Sequence, residues 1–403
     1  MKLAVLSDIH AFNPETLARI GTTNAPSWED ITAGSEISAG LPFNCLIDLI
    51  ESDRLRADFV ICPGDIGHAA DRSGIQYSWG WLESIRRSLE ATEVLASIGN
   101  HDVDSHDLEH LHDPTNIIQS LQPKYPVVNG LARTNYFSKN FAIIEHADAT
   151  FILLNTCAHQ TDPETSRYGM IDEATLRDLK KAINLLTTKR RILICHHHPF
   201  RHEALDRADE SAMKGGPELM DLLEENGEWL IIHGHRHYPN MLYGGGSNRS
   251  PLIVAAGSFS AILYPELSTR VRNQFLILEF DDNEVAETSL SMTGRVRAWE
   301  YHRGRGWVTP SSLEGIPDGA GFGYRGSMDS LRRDVEDNIH ANLELGTLFP
   351  YSSLEETVPQ LKFLLPRDRQ MLLRDLVGSG VISVRPAENF AALSGDIFLT
   401  RRN

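Results

Sequence analysis

The sequence predicts a layered α/β fold followed by a small C-terminal module. Three observations predict it. Short apolar runs recur from Leu3 to Leu278 and end abruptly in polar residues, helical stretches lie between several of them, and a glycine-rich composition shift falls near residue 320. The runs are Leu3 to Leu6, Phe59 to Cys62, Val94 to Ile98, Phe151 to Leu154, Ile192 to Cys195, Leu230 to Ile232, Leu252 to Ala256 and Phe275 to Leu278. Runs this short and this apolar suit strands buried on both faces. Helical stretches at Cys45 to Leu55, Trp79 to Glu90, Asp172 to Leu186 and Gly216 to Asn226 alternate with them, as in a layered α/β domain. From Glu284 to Val308 the polarity is mixed and reads as strands closing a second sheet.

Residues Gly315 to Gly326 hold five glycines and one proline, a linker-like composition. Beyond them Leu331, Val335, Ile339 and Leu343 recur every four residues and mark an amphipathic helix. That stripe suits either packing on its own core or a dimer contact. A second helical stretch, Asp368 to Val377, precedes Gly378-Ser379-Gly380 and two short strand-like runs. A helix followed by a hairpin invites a winged-helix reading. Nine Lys/Arg against eleven Asp/Glu from Gly326 to Asn403 lack the basic footprint of a DNA reader and favour a capping or docking module. The expected boundaries are 1–310 for the main domain, 311–327 for the linker and 328–403 for the mostly helical accessory module.

Composition narrows the class. Of 403 residues, 41% are hydrophobic and 23% charged, which excludes a disordered chain, a collagen and a coiled coil. A mean hydropathy of -0.26 and the lack of an apolar run near ~20 residues argue against a membrane span. A formal net charge of -17 disfavours polyanions and anionic membranes, although a local site can invert the sign. Four scattered cysteines do not make a disulfide scaffold and read as small buried hydrophobes in a reducing compartment. Leu3-Ala4-Val5-Leu6 is too short for the apolar region of a signal peptide, so a cytoplasmic location is expected.

Polar residues cluster where the apolar runs stop. Asp8-Ile9-His10 follows the first run. In an extended backbone residues two apart point the same way, so both side chains can reach one metal ion; a plain strand-end turn accounts for them equally well. Gly64-Asp65 places a carboxylate after a sharp turn. Gly99-Asn100-His101-Asp102 offers an amide oxygen and, beside it, a proton donor. His196-His197-His198-Pro199 supplies one imidazole for ligation, with the others free to orient substrate or pack. Gly234-His235-Arg236-His237 again has two imidazoles at spacing two, which leaves Arg236 for surface packing. Each group follows an apolar strand, where open α/β sheets place their ligand sites. Carboxylate, amide and imidazole donors without a thiolate suit a pair of divalent first-row metals.

These blocks, in this order, resemble the calcineurin-like metallophosphoesterase superfamily over about residues 1 to 300. The resemblance implies a layered β-sandwich flanked by helices, and two divalent or mixed-valence ions of manganese, iron or zinc. It implies one ion held by Asp8, His10, Asp65 and His237, and a second held by Asp65, Asn100, His196 and His235. His197 is the alternative to His196. The His-His-His-Pro string is similar to the branch that contains class III cyclic-nucleotide phosphodiesterases. The implied activity is hydrolysis of small phosphate esters, phosphodiesters such as cyclic nucleotides first. A metal-dependent nuclease, a phosphomonoesterase and a non-catalytic scaffold of the same fold are the rivals. His101 is placed to protonate the leaving oxygen, with Asp102 either orienting it or capping a helix. His68, His197 and Arg201 are candidate substrate contacts. The stretch from Ala11 to Phe43 is a long insert in the family pattern.

Overall fold

Each apolar run becomes a strand, with bounds within two residues of the run. β1 (Lys2–Val5), β2 (Phe59–Cys62) and β3 (Glu93–Ala96) lie parallel and adjacent. A second sheet follows, built from β4 (Phe141–Glu145), β5 (Thr150–Leu154), β6 (Arg191–Ile194), β7 (Leu230–His233), β8 (Asn240–Tyr243) and β9 (Leu252–Ala255), in the order β4-β5-β6-β7-β9-β8. The chain then returns to the first sheet with β10 (Gln274–Phe280), β11 (Gly294–His302), β12 (Gly306–Val308) and β13 (Ala320–Phe322). This gives the order β12-β11-β10-β1-β2-β3, with β13 on β11. The computed structural model describes all residues except 35–38, 106–112, 163–164, 166–167, 201–210, 246–248, 284, 286–287, 290, 313, 386–396 and 403.

Strand alternation explains why the runs are apolar throughout. Phe151, Leu153, Ile192, Ile194, Leu230 and Ile232 share one core with β1, β2 and β10. Their neighbours Ile152, Leu154, Leu193 and Ile231 turn the other way and pack with Leu179 and Leu223 of helices Glu173–Ile183 and Gly216–Glu225. Helices Pro42–Asp53 and Arg72–Ser88 bury Phe43, Leu46, Trp79 and Leu82 in the core of the first sheet. The result is a two-sheet sandwich flanked by helices, as the sequence predicts. Among the described residues no helix is long and apolar enough to cross a membrane.

The insert after the first motif is a strap across one end of the sandwich. Ala11 bridges Gly67, Phe12 bridges Asp30 and Ser27 bridges Ala261. Its anchor is Glu29, fully buried, whose carboxylate accepts from Phe43 N at 2.8 Å and Tyr77 Oη at 3.0 Å.

The glycine-rich stretch expected to be a linker is part of the fold. Ala320–Phe322 pairs with Gly294, Arg295 and Val296 of β11. Gly321 is required there: a Cβ would lie 2.2 Å from the Lys362 carbonyl oxygen. The C-terminal module follows directly. Helix Met328–Asn342 buries Leu331, Val335 and Ile339 in the module's own core, which settles the use of that stripe. Helix Pro366–Gly378 leads to β15 (Ile382–Arg385) and β16 (Phe398–Arg401). With the earlier β14 (Leu348–Pro350) these form an antiparallel sheet ordered β14-β16-β15. The module is tied to the sandwich by Tyr324 N donating to Phe363 O and by an Arg295–Glu355 ion pair.

Burial pushes the Glu29 carboxyl up to about 7, against the Phe43 amide and the Tyr77 hydroxyl that favour its charge. A raised folded-state value stabilises the fold at pH below the unfolded value and is lost as pH rises through about 7. The stability advantage of wild type over Glu29→Gln is therefore expected to shrink between pH 5 and pH 8. Melting temperatures of both proteins across that range check this; a constant difference would contradict it.

Candidate metal centre

The strands stop before the motifs begin. β1 ends at Val5 and β7 at His233, so Asp8, His10, His235 and His237 lie in the turns beyond. Strand alternation therefore does not aim them. Left-handed backbone does: Asp8, His10 and Asp65 have φ of 53°, His237 has 55° and His235 has 77°. Such strain on non-glycine residues concentrates at functional sites. The same geometry corrects the reading of Arg236. In a turn it is not forced away from its neighbours, and it lines the cavity above the cluster.

Two groups of donors converge on one carboxylate. Asp65 Oδ2 lies 3.2 Å from His196 Nε2 and 3.6 Å from His10 Nε2. On the first side, His10 Nε2 and His237 Nε2 are 3.1 Å apart, and His237 Nε2 is 3.3 Å from Asp8 Oδ1. On the second, Asn100 Oδ1 lies 3.1 Å from His196 Nε2 and 3.0 Å from His235 Nδ1. All seven residues singled out by the motifs thus meet in two clusters that share Asp65. Three donor groups here have ligand atoms within 4.8 Å of one another and could each hold a divalent cation: Asp8, His10 and His237; Asp8, Asp65 and His196; and His196, His197 and His235.

The electrostatics agree with that fit. Burial opposes the charge on Asp65, but His196, His101 and His10 hold its carboxyl well below the usual range. Burial also opposes protonation of His196, yet Asp65 raises it to about 9. His10 and His235 are pushed well below the ordinary imidazole value, chiefly by burial. A cation ligated by Asp65 and His196 would compete with protons for the same atoms.

Hydroxyls and amides lock these loops. Ser258 Oγ donates to Asp8 O, while Ser27 Oγ and Ser260 Oγ both donate to Ile9 O. His235 N donates to Asp8 Oδ1 at 2.9 Å. Gly234 is obligatory, since a Cβ would stand 2.2 Å from Ser7 Oγ and 2.3 Å from Asp8 Oδ2.

Asp102 does not orient His101. Its Oδ2 accepts from Asp65 N and Gly99 N, and its Oδ1 from Ile66 N and Gly67 N, all within 2.9–3.1 Å. Both oxygens are spent clasping the two loops that carry Asp65 and Asn100. Burial first, then Asp65, pushes its carboxyl up to about 7. The His101 ring instead takes an amide proton from Ala69 at Nδ1, 3.3 Å away, and stacks on His68 at 4.9 Å. His197 keeps its ring beside His196 and His235. It is fully buried, held by Thr156 Oγ1 at 2.9 Å and Gln160 Nε2 at 3.4 Å, and does not line the cavity. Arg201 lies outside the described residues.

The cavity over the cluster holds about 390 Å³. His10, Asp65, Asn100, His101, His235 and His237 form its metal-facing part. The rest of the lining includes Tyr264, Glu266, Leu267 and Arg270, which sequence reasoning missed. They lie 27 to 33 residues beyond the last motif residue, in a stretch with no patterned signal.

Replacing Asp102 by Ala would orphan four buried amides, at on the order of 1–3 kcal/mol each. Asp102→Ala is expected to lower the melting temperature and the bound-metal content together, whereas His101→Gln leaves both near wild type. Calorimetry and elemental analysis check this; an Asp102→Ala protein of unchanged melting temperature would overturn the assignment.

Comparison with known proteins gives the family. A family model for the calcineurin-like phosphoesterases matches residues 1–239, more than half of the chain. A second model, wHTH-Calcineurin_assc, matches residues 320–376, in line with the helices and small sheet of the C-terminal module. No curated protein matches the chain. Among solved structures, a dimetal phosphatase from Danio rerio is similar at a TM-score of 0.45 and 10% identity, covering 74% of this chain and 95% of that one. A purple acid phosphatase from yellow lupin (Lupinus luteus) seeds is similar at a TM-score of 0.45 and 14% identity, covering 74% of this chain and 51% of that one. The chain belongs to the calcineurin-like phosphoesterase family, and its chemistry is the metal-dependent hydrolysis of phosphoesters.

Proposed function

We propose that the protein is a phosphodiesterase acting on small substrates, cyclic nucleotides among them, through two ions held by the Asp65-centred cluster. The observation that carries the reading is the position of Asp65 Oδ2 between His10 and His196. Bound there, divalent ions supply Lewis acidity toward the phosphoryl oxygens and a low pKa for attacking water.

The side chains divide the remaining work. Asp65 and Asp8 bring two negative charges to the cluster, while the four candidate imidazole ligands add none when they ligate. The site can therefore carry net positive charge inside a protein of formal charge -17 and hold a phosphate anion. His101 Nδ1 accepts from Ala69 N, so the ring proton sits on Nε2. Burial lowers its affinity for a second proton. A neutral, N–H-bearing imidazole beside Asn100 suits donation to a leaving oxygen. His68, stacked behind it, fixes the ring plane. Arg236 lines the same cavity, with its Nη1 donating to Ser211 Oγ, and is a cation able to meet the phosphoryl group. A nuclease reading draws on the winged-helix match, but nine basic against eleven acidic residues in the module weigh against it.

Three measurements test the proposal. Protein stripped by a chelator is expected to lose turnover of bis(p-nitrophenyl) phosphate and regain it with manganese; full activity after verified stripping would refute the mechanism. Asn100→Ala is expected to drop the metal stoichiometry from two toward one and cut kcat roughly tenfold or more. Faster cleavage of single-stranded DNA than of any nucleotide diester, at matched manganese, would replace the small-substrate reading with a nuclease.

A further inference from the structure

Part of the wall of the cavity over the metal cluster is built from a segment outside every motif. Residues 258–262 are pinned to the strap: Ser27 bridges Ala261, Trp28 N donates to Ser260 O and Ile262 N to Pro26 O. The pinned segment continues into Tyr264, which caps the single-turn helix Pro265–Ser268. Tyr264 is 69% exposed, yet it lines the same cavity as the ligand residues. A large ring left open to solvent on the wall of a catalytic cavity, on a backbone fastened at its base, is a stacking surface that no ring among the described residues covers.

The chemistry around the ring narrows what lies on it. Leu267 contributes an apolar edge beside the ring. Arg270 is engaged by Glu314, with Nε at 2.9 Å and Nη2 at 2.7 Å from Oε2, and its guanidinium lies over Tyr238. Its charge is thereby offset on this wall. Glu266 adds a carboxylate, an acceptor, to the same cavity lining. An apolar aromatic face bordered by an acceptor complements a flat ring that carries N–H groups on its edge.

We infer that Tyr264 is a specificity-determining residue: its ring stacks on a planar heteroaromatic group of the substrate, with Glu266 facing that group's N–H edge, while the phosphoryl end sits over the metal cluster. The substrate class is a phosphoester of a nucleoside, as opposed to one of a simple sugar or alkyl alcohol. This rests on the phosphodiesterase reading of the same cavity. The cavity volume, about 390 Å³, is within the range of small-molecule sites. The strap acts on selectivity through this wall, since it holds the segment that carries the ring.

The test compares two probes that differ only in the ring. Adenosine 5′-monophosphate and ribose 5-phosphate are titrated calorimetrically into manganese-loaded holoenzyme. Wild type is expected to bind the nucleotide roughly tenfold or more tightly, the scale of one base stacked on one aromatic side chain. Tyr264→Ala is expected to erase that preference with the ribose 5-phosphate affinity unchanged, and Tyr264→Phe to keep it. Equal affinities in wild type, or a preference that survives in Tyr264→Ala, would overturn the inference. Turnover of bis(p-nitrophenyl) phosphate by the same samples separates the two readings. Turnover without a nucleotide preference removes the ring platform alone, and a Tyr264-dependent preference without turnover removes the phosphodiesterase reading alone.

Discussion

One carboxylate faces two groups of imidazoles, and the surrounding architecture serves to keep it there. Asp65 Oδ2 looks toward His10 and His196, and its Oδ1 accepts from His101 N at 2.8 Å. In water such a group would be free to rotate and to bind a proton. Here it is buried, oriented by a backbone amide and flanked by bases that keep it charged. A cation that enters meets donors already desolvated and aimed, so little reorganisation is needed on binding.

That preorganisation is costly locally. Five of the seven clustered residues sit at positive φ, each at on the order of 1–3 kcal/mol of backbone strain. The offset comes from polar groups with no direct part in the chemistry. Asp102 gathers four amides from two loops, with hydrogen bonds to a charged acceptor contributing on the order of 1.5–3 kcal/mol each. Ser27, Ser258 and Ser260 do the same for the loop of Asp8 and His10. Glycine at 99 allows the closest approach, since a Cβ would stand 2.2 Å from Asp65 Oδ1. The two mixed sheets beneath give these loops a rigid base, with the strands β1, β2, β5, β7 and β9 buried almost throughout.

Chemistry and selectivity have separate structural origins in this molecule. The metal-facing donors come from strand-end loops of both sheets. Part of the cavity wall comes from residues 264–270, braced by an insert in the strap from Ala11 to Phe43. Loops of this kind tolerate change because they carry little of the core, while the ligand loops do not. The C-terminal module stands on a third footing, with its own core and a sheet of its own. It joins the sandwich through β13 and the Arg295–Glu355 pair rather than through a flexible tether.

Eight strands and the motif residues at their ends were legible in the sequence, along with the chemical type of the donors. Apolar runs ending in Asp, Asn and His are local signals, and burial on both faces leaves a strand little freedom to read otherwise. The sequence also determined the helix of Leu331, Val335 and Ile339, because period and polarity coincide there. Tertiary structure alone decided three things. It aimed Asp8, His10, His235 and His237 through left-handed turns, where alternation along a strand would have sent Arg236 away from the site. It gave Asp102 to four amides instead of to His101, because buried N–H groups from distant loops claimed its oxygens first. And it turned a glycine-rich stretch into strand β13, and brought Tyr264 to the cavity. All three depend on contacts between residues far apart in the chain, and no local pattern encodes which distant group will be a neighbour.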